Sequence, residues 1–277
     1  MADSTSTELL WGPGVIGFVI ATAFYGAAFG QYIFYLRNFP QDSKIFKLFI
    51  MMVFCLVTIN QYALIGMYWS ILISCRRSTS LKCMTELPWQ MLLGVLVSAW
   101  IVFAVHCFYA HRVWIITEHN RFITIIIYAL ATTSLGFGMI TWGLIFRSMS
   151  PEALYGTKWL QFAAMSGALC DLVIAGAVWW HLRRARTGNI RSKSRNHLKQ
   201  LTQIFINMGL MSCFVGVTMA VLYQVQNGQY YSAAPGSLLA KTYFNSMMAV
   251  LNARKSIRER QRLARTATEL PTIPTIR

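Results

Sequence analysis

Charge is scarce in this chain, and negative charge scarcer still. Only 12% of the 277 residues are charged, and nine Asp and Glu stand against 25 Lys and Arg. A soluble domain carries charge at about 25% of its positions, so an ordinary water-facing surface is excluded. Catalytic signatures are missing too. There is no His-Glu-x-x-His, no Gly-x-Ser-x-Gly, no phosphate-cradling glycine loop and no pair of carboxylates on one helical face. We therefore expect no enzymatic activity, no cofactor and no metal. Among the five histidines only His106 falls well inside an apolar run, with His111 and His181 at run edges, which leaves no facing pair for a haem. Asn-x-Ser/Thr acceptors, tandem repeats and low-complexity tracts are absent as well.

What the chain does have is seven long hydrophobic runs, at about 9–36, 48–73, 87–110, 122–146, 159–181, 201–225 and 233–253. Each reaches the ~20 apolar residues that a bilayer's hydrocarbon core requires. The pattern predicts an all-α polytopic membrane protein, a seven-transmembrane helix bundle filling residues 1–258 as a single domain. A basic cytoplasmic tail over 259–277 is expected to be disordered. The first run lacks a positive flank and is too long for a cleaved signal peptide.

The net charge of +16 would suggest nucleic acid in a soluble chain, but its placement points to a membrane instead. The first, third and fifth connections and the tail hold 19 of the 25 basic residues. The other side has Arg76, Arg77, Lys82, Arg147 and Lys158, and Lys241 falls inside the last run. By the positive-inside rule the N-terminus is outside and the C-terminus cytoplasmic. Trp11, Trp69, Trp89, Trp159, Tyr230 and Tyr231 lie where an outer aromatic belt belongs. The partners implied are the bilayer and no nucleic acid. Anionic lipid at the cytoplasmic face would meet Arg183, Arg184, Arg186, Arg191, Lys193 and Arg195, each worth up to ~1 kcal/mol near the surface. A cytoplasmic protein partner would dock on the same face. Either the plasma membrane or an endomembrane fits, and the oligomeric state stays open.

Ala23, Gly26, Ala27 and Gly30 form a small-residue face on the first run, suited to close packing against another helix of the same chain or of a second copy. Cys55, Cys107, Cys170 and Cys213 lie inside runs, where they act as small apolar residues. Cys75 and Cys83 share the second connection; a disulfide and two free thiols both stay open.

A set of polar groups sits at similar depth within the runs: Asp171, Lys241, Asn245, Asn207, His106, Asn60 and Gln61. Counted at ~1.5 Å per residue from the cytoplasmic ends, they converge on a layer near mid-membrane. Asp171 is the one acidic residue deep in any run, and a buried ionisable group needs a partner. Lys241 is the expected one, either directly or through Asn245 and a water. The layer reads either as a ligand or switching site or as interhelical hydrogen-bond glue.

These residues also stand in a recognisable order. Gln31-x-x-x-Tyr35 and Arg37-x-x-Pro40-x-Asp42 are followed by Pro88-Trp89, Phe108-Tyr109-Ala110-His111-Arg112, Asp171, Arg186-Thr187-Gly188 and Asn207-x-Gly209. Lys241-x-Tyr243-x-Asn245-Ser246 and Leu251-Asn252-x-Arg254 complete the series. From about Gly12 to Arg258 the chain resembles the fungal, mainly basidiomycete, seven-span membrane proteins grouped as a domain of unknown function. The resemblance implies receptor-like topology and no established activity. Where relatives tend to carry an acidic residue and a histidine in the second span, this chain has Val57 and Asn60.

Three functional classes follow. A receptor or sensor fits the span count and basic inner face, although Arg112 lacks a preceding acid and the last run lacks Asn-Pro-x-x-Tyr. A small-molecule or ion transporter or channel fits the polar layer, although no inverted halves are visible. A retinal protein would use Lys241 for its Schiff base, but the third run offers no buried carboxylate as counter-ion.

Overall fold

Each apolar run becomes one long α-helix. In chain order these are α1 (Thr7–Asn38), α2 (Lys44–Trp69), α3 (Trp89–Ile116), α4 (Arg121–Ser148), α5 (Lys158–Thr187), α6 (Ser192–Val225) and α7 (Ala233–Glu269). The structure is a computed structural model describing residues 7–74, 87–150, 154, 157–187, 192–225 and 230–269; side chains of 7–11, 182, 184–187, 192–208, 260–261 and 263–269 lie outside it. Cys75, Cys83, Arg191 and the segment 270–277 fall outside the described residues altogether.

Local chemistry sets the helix ends. Ser43 caps α2 by accepting from the Phe46 amide at 3.4 Å, and Asn120 caps α4 through bonds of 3.1 and 3.4 Å from the amides of Phe122 and Ile123. Such caps satisfy donors that the first helical turn leaves open. Between α3 and α4 the chain reverses within a few residues, through Glu118 at φ 54° and His119 at φ 69°. A connection so short makes α3 and α4 antiparallel neighbours. Met149, at φ 47°, ends α4 in the left-handed region.

Successive helices pack in order around a ring, which α7 closes against α1. α3 also touches α5 and α7, and so passes through the middle. Its burial follows from that position: Ile101, Val105, His106, Tyr109, Ala110 and Val113 are all shut off. The outer wall is apolar, with Ile45, Leu48, Phe122, Ile125, Phe146 and Phe214 exposed and Asn60, His106, Asp171 and Lys241 buried. This inversion of a soluble protein's distribution matches lipid as solvent. Among the described residues five helices are long and apolar enough to cross a membrane: Gly12–Asn38, Lys44–Ser74, Trp89–Ile116, Arg121–Ser148 and Lys158–His181. Within α6 the residues with described side chains start at Gly209, and Gly209–Val225 is apolar. In α7 the buried positions include Lys241, Thr242 and Ser246, which lowers its hydropathy because its neighbours, rather than lipid, surround it.

Two expectations change. The small-residue face at Ala23, Gly26, Ala27 and Gly30 is exposed, and a Cβ placed on Gly26 or Gly30 would meet nothing within 4 Å. The close seam lies a few turns earlier. A Cβ on Gly17 would stand 2.5 Å from the Ala234 Cα, and one on Gly14 would stand 3.4 Å from the Ala233 Cβ. There the first turn of α7 lies directly against the α1 backbone, with Ala234 facing Gly17. Second, α7 remains helical well past 253, to Glu269. From Ala253 to Glu269 it has neither Gly nor Pro to stop it, and Lys255 pairs with Glu259 one turn on, at 3.7 Å.

Candidate functional site

The buried polar residues divide into separate clusters, each holding two or three helices together. On α5, Asp171 is 1% exposed, and both carboxylate oxygens are engaged. Oδ1 lies 3.2 Å from His106 Nε2 on α3, and Oδ2 accepts from the Tyr243 hydroxyl on α7 at 2.7 Å. Gly167, one turn before Asp171 and on the same face, keeps the approach open. A Cβ there would lie 3.6 Å from the Tyr243 hydroxyl and 3.9 Å from His106 Cε1. A buried carboxylate is tolerated when its oxygens are bonded in this way.

Lys241 is fully buried on α7 and donates to Asn60 Oδ1 on α2. The Asn60 amide nitrogen donates in turn to the Gly94 carbonyl at 3.0 Å and to Ser98 Oγ at 3.1 Å, both on α3. The expected pair of Asp171 and Lys241 therefore does not form: among the described residues no ion pair joins them. The reason is angular. Lys241 and Tyr243 are two residues apart, about 200° around a helix at 100° per residue, so α7 presents them to opposite neighbours. Tyr243 takes Asp171, and Lys241 is left with Asn60, which lies at its own depth.

Asn245 does not bridge the two. Its amide donates to the Phe24 carbonyl at 2.9 Å, and that of Asn252 donates to the Gln31 carbonyl at 3.0 Å. The offset is 221 residues in both cases, so the two contacts repeat two helical turns apart along the parallel α1–α7 seam. Gln61 donates to Thr22 Oγ1 at 2.9 Å, tying α2 to α1. The Asn207 side chain lies outside the described residues.

Above Asn60 and Tyr243 the helices part. A cavity of about 160 Å³ lies in the half of the bundle that bears the α1 and α7 N-termini, walled by α2 through α7. Its lining is mostly apolar, with Met67, Met91, Val95, Val102, Leu135, Leu160 and Met219 among smaller alanines and glycines, and Asn60, Tyr68, Gln90, Ser98, Ser134, Ser232, Ser237 and Tyr243 are its polar members. The floor is thus formed by the residues that hold Lys241 and Asp171.

The opposite end carries a cluster that the sequence presented only as scattered motifs. Asp42 accepts from the Tyr35 hydroxyl at 2.9 Å and from Arg254 Nη2 at 2.8 Å and Nη1 at 3.4 Å. The Arg254 guanidinium also lies 4.4 Å above the Phe39 ring, which Arg258 covers from 5.9 Å. Partial burial opposes ionisation of Asp42. The hydrogen bonds from Arg254 and Tyr35 and the charges of Arg254 and Arg258 outweigh it and hold the carboxyl below its ordinary range. Of the loop-five basic residues, Arg183 stacks on Trp179 at 5.4 Å; the side chains of Arg184, Arg186, Arg191, Lys193 and Arg195 lie outside the described residues.

Sequence reasoning missed Tyr243 as a site residue because it sits off the Lys241–Asn245–Asn252 stripe, and missed Ser98, which has no distinguishing pattern. Cys170 and Cys213 are buried as expected, whereas Cys55 is exposed on the outer wall. Among the described residues no three His, Cys, Asp or Glu side chains come together as a metal site.

No curated protein and no solved structure matches this chain. Residues 167–256, which carry Asp171, Lys241, Tyr243, Asn245, Asn252 and Arg254, match a family of unknown function (DUF6534).

Proposed function

We propose that the chain is a seven-span integral membrane protein of the fungal kind it resembles, N-terminus outside and C-terminus cytoplasmic. Its role on this reading is that of a receptor or sensor that binds a small, mainly apolar molecule in the cavity between α2 and α7. The observation that carries the reading is the position of the cavity. It lies in the half of the bundle assigned as external, and its floor residues Asn60 and Tyr243 are hydrogen-bonded to Lys241 and Asp171. A ligand that displaces either floor side chain alters the contacts of a buried ionisable group, which is how a bound molecule would bias one helix arrangement over another. An apolar cavity of about 150 Å³ accommodates benzene, so the volume here suits a molecule of similar size.

The role assigned is binding, with no catalytic step. Transport by the same polar layer is the alternative; a retinal pigment is not favoured, because Lys241 is held by Asn60 and no acidic side chain faces it among the described residues. The basic inner face and its anionic-lipid attraction remain part of the proposal. The test is thermal unfolding of the purified protein in nanodiscs against a panel of small apolar probes. A Cβ on Gly94 would meet only Ala63 at 3.8 Å, so Gly94→Leu fills the cavity without a backbone clash; Gly216→Leu is a second filling variant. Probes that raise the melting temperature of the wild type but of neither variant support the reading. Identical shifts in all three proteins overturn it.

A further inference from the structure

The end of the bundle opposite the cavity gathers more positive charge than it answers. Asp42, in the connection between α1 and α2, stands among three arginines. Arg254 of α7 engages both of its oxygens, at 2.8 and 3.4 Å, and donates through Nε to the Leu251 carbonyl at 2.9 Å. Arg254 is thereby committed. Arg112 of α3 and Arg258 of α7 are not. The charge of Arg112 is coupled to those of Asp42 and Arg254, and that of Arg258 to Asp42, yet neither guanidinium has a hydrogen-bond acceptor or an ion-pair partner among the described residues. The other carboxylates of this end do not make up the difference. Glu259 pairs with Lys255 at 3.7 Å, and Glu118, in the turn after α3, forms no ion pair among the described residues.

Aromatic rings, rather than acids, hold the two unanswered guanidiniums. Arg112 lies 5.4 Å from the centre of the Phe108 ring, and Arg258 lies 5.9 Å from that of Phe39, which Arg254 also covers at 4.4 Å. Contact with a ring face fixes a guanidinium and leaves its N–H groups unused. Those groups are within reach of a ligand. Arg258 is exposed, Arg112 is partly exposed, and none of the Arg112 nitrogens is buried without a partner.

Three arginines and one aspartate leave two positive charges unbalanced, and a dianion with several acceptor oxygens removes that imbalance. A guanidinium fork matches phosphate oxygens. A phosphate monoester carries a charge of about −1.5 to −2 at neutral pH and three acceptor oxygens, whereas a phosphodiester carries about one charge.

We propose that Arg112 and Arg258 bind a phosphate monoester at this end of the bundle, beside Arg254, which Asp42 holds in place. The phosphate comes either from a lipid headgroup or from a soluble monoester, since the chemistry recognised is the same. The site is independent of the cavity and separate from the basic residues of the fifth connection.

The test uses the full-length protein in phosphatidylcholine nanodiscs, with thermal unfolding as the readout. One arm adds phosphatidic acid, a monoester, against phosphatidylglycerol, a diester, at matched surface charge. The other titrates glycerol 3-phosphate against dimethyl phosphate at constant ionic strength. The expected result is an apparent affinity about tenfold higher for the monoester, as one charge-assisted hydrogen bond supplies. Arg112→Gln and Arg258→Gln should each abolish that preference, and Arg121→Gln, a charge removed from the start of α4 instead, should keep it. Arg258 is exposed, so its variant serves if Arg112→Gln does not fold. A preference in the lipid arm alone assigns the site to a headgroup, and one in the glycerol 3-phosphate arm assigns it to a soluble monoester as well. No monoester preference in either arm overturns the proposal. So does a preference that survives in Arg112→Gln or Arg258→Gln, or one that Arg121→Gln abolishes equally. None of these outcomes bears on the cavity.

Discussion

Lys241 and Tyr243, two residues apart on α7, serve opposite sides of the bundle: Tyr243 donates to Asp171 on α5 at 2.7 Å, and Lys241 donates to Asn60 on α2. A polar layer that looks continuous along the sequence is thus two independent clasps, one uniting α3, α5 and α7 and the other α2, α3 and α7. Both end at the floor of the same cavity.

Independence of the two clasps is measurable. Asp171→Asn and Lys241→Met should each lower the melting temperature in detergent, since each leaves a buried polar partner unmatched at a cost of about 1–3 kcal/mol. Because the two share no partner, the double mutant should lose the sum, within about 0.5 kcal/mol. Recovery of stability in the double mutant would instead mean that the two charges are coupled.

At the other end of the bundle, Asp42 should make acid stability depend on Arg254. The carboxyl ionises below the ordinary aspartate value of 3.8. Its contribution is therefore complete above that value and disappears as pH falls through the lower folded-state value. With side chains 19% and 20% exposed, the contacts are worth about 1–2 kcal/mol after solvent screening. Asp42→Asn should melt earlier than wild type at pH 7, and the two curves should converge below pH 3.8. A gap that stays constant with pH would assign the effect to packing.

The glycines of α1 divide into two kinds. Gly17→Ala places a methyl 2.5 Å from the Ala234 Cα and 2.6 Å from its carbonyl oxygen, so α1 and α7 must separate, and a large loss of thermal stability or of monodisperse protein is expected. Gly26→Ala and Gly30→Ala meet nothing within 4 Å and should be neutral or stabilising by up to about 1 kcal/mol, the helix-propensity difference. Size-exclusion profiles and melting curves of the three proteins decide it. Strong damage from Gly30→Ala would reveal a second helix on that face.

Threading is checked with reporters. A glycosylation acceptor engineered at the N-terminus should be modified, and one at the C-terminus should not. The opposite pattern would invert the assignment of the cavity to the external side.

The sequence by itself determined the number of long helices, their approximate ends, the apolar outer wall and the concentration of positive charge in alternate connections. These properties are sums over neighbouring residues: a run of some twenty apolar side chains is a membrane-length helix whatever surrounds it. The need for a buried partner was legible at Asp171 for the same reason, as the cost of an unpartnered charge rises with its depth in an apolar run. Which partner it takes was not legible. That depends on the rotation and register of each helix against its neighbours, and those follow from where two backbones can approach, as at Gly17 against Ala234. Tertiary structure therefore decided that Asp171 meets His106 and Tyr243 rather than Lys241, and that Asp42 meets Arg254 across 212 residues of chain. It also decided where six helices fail to fill the space between them and leave a cavity.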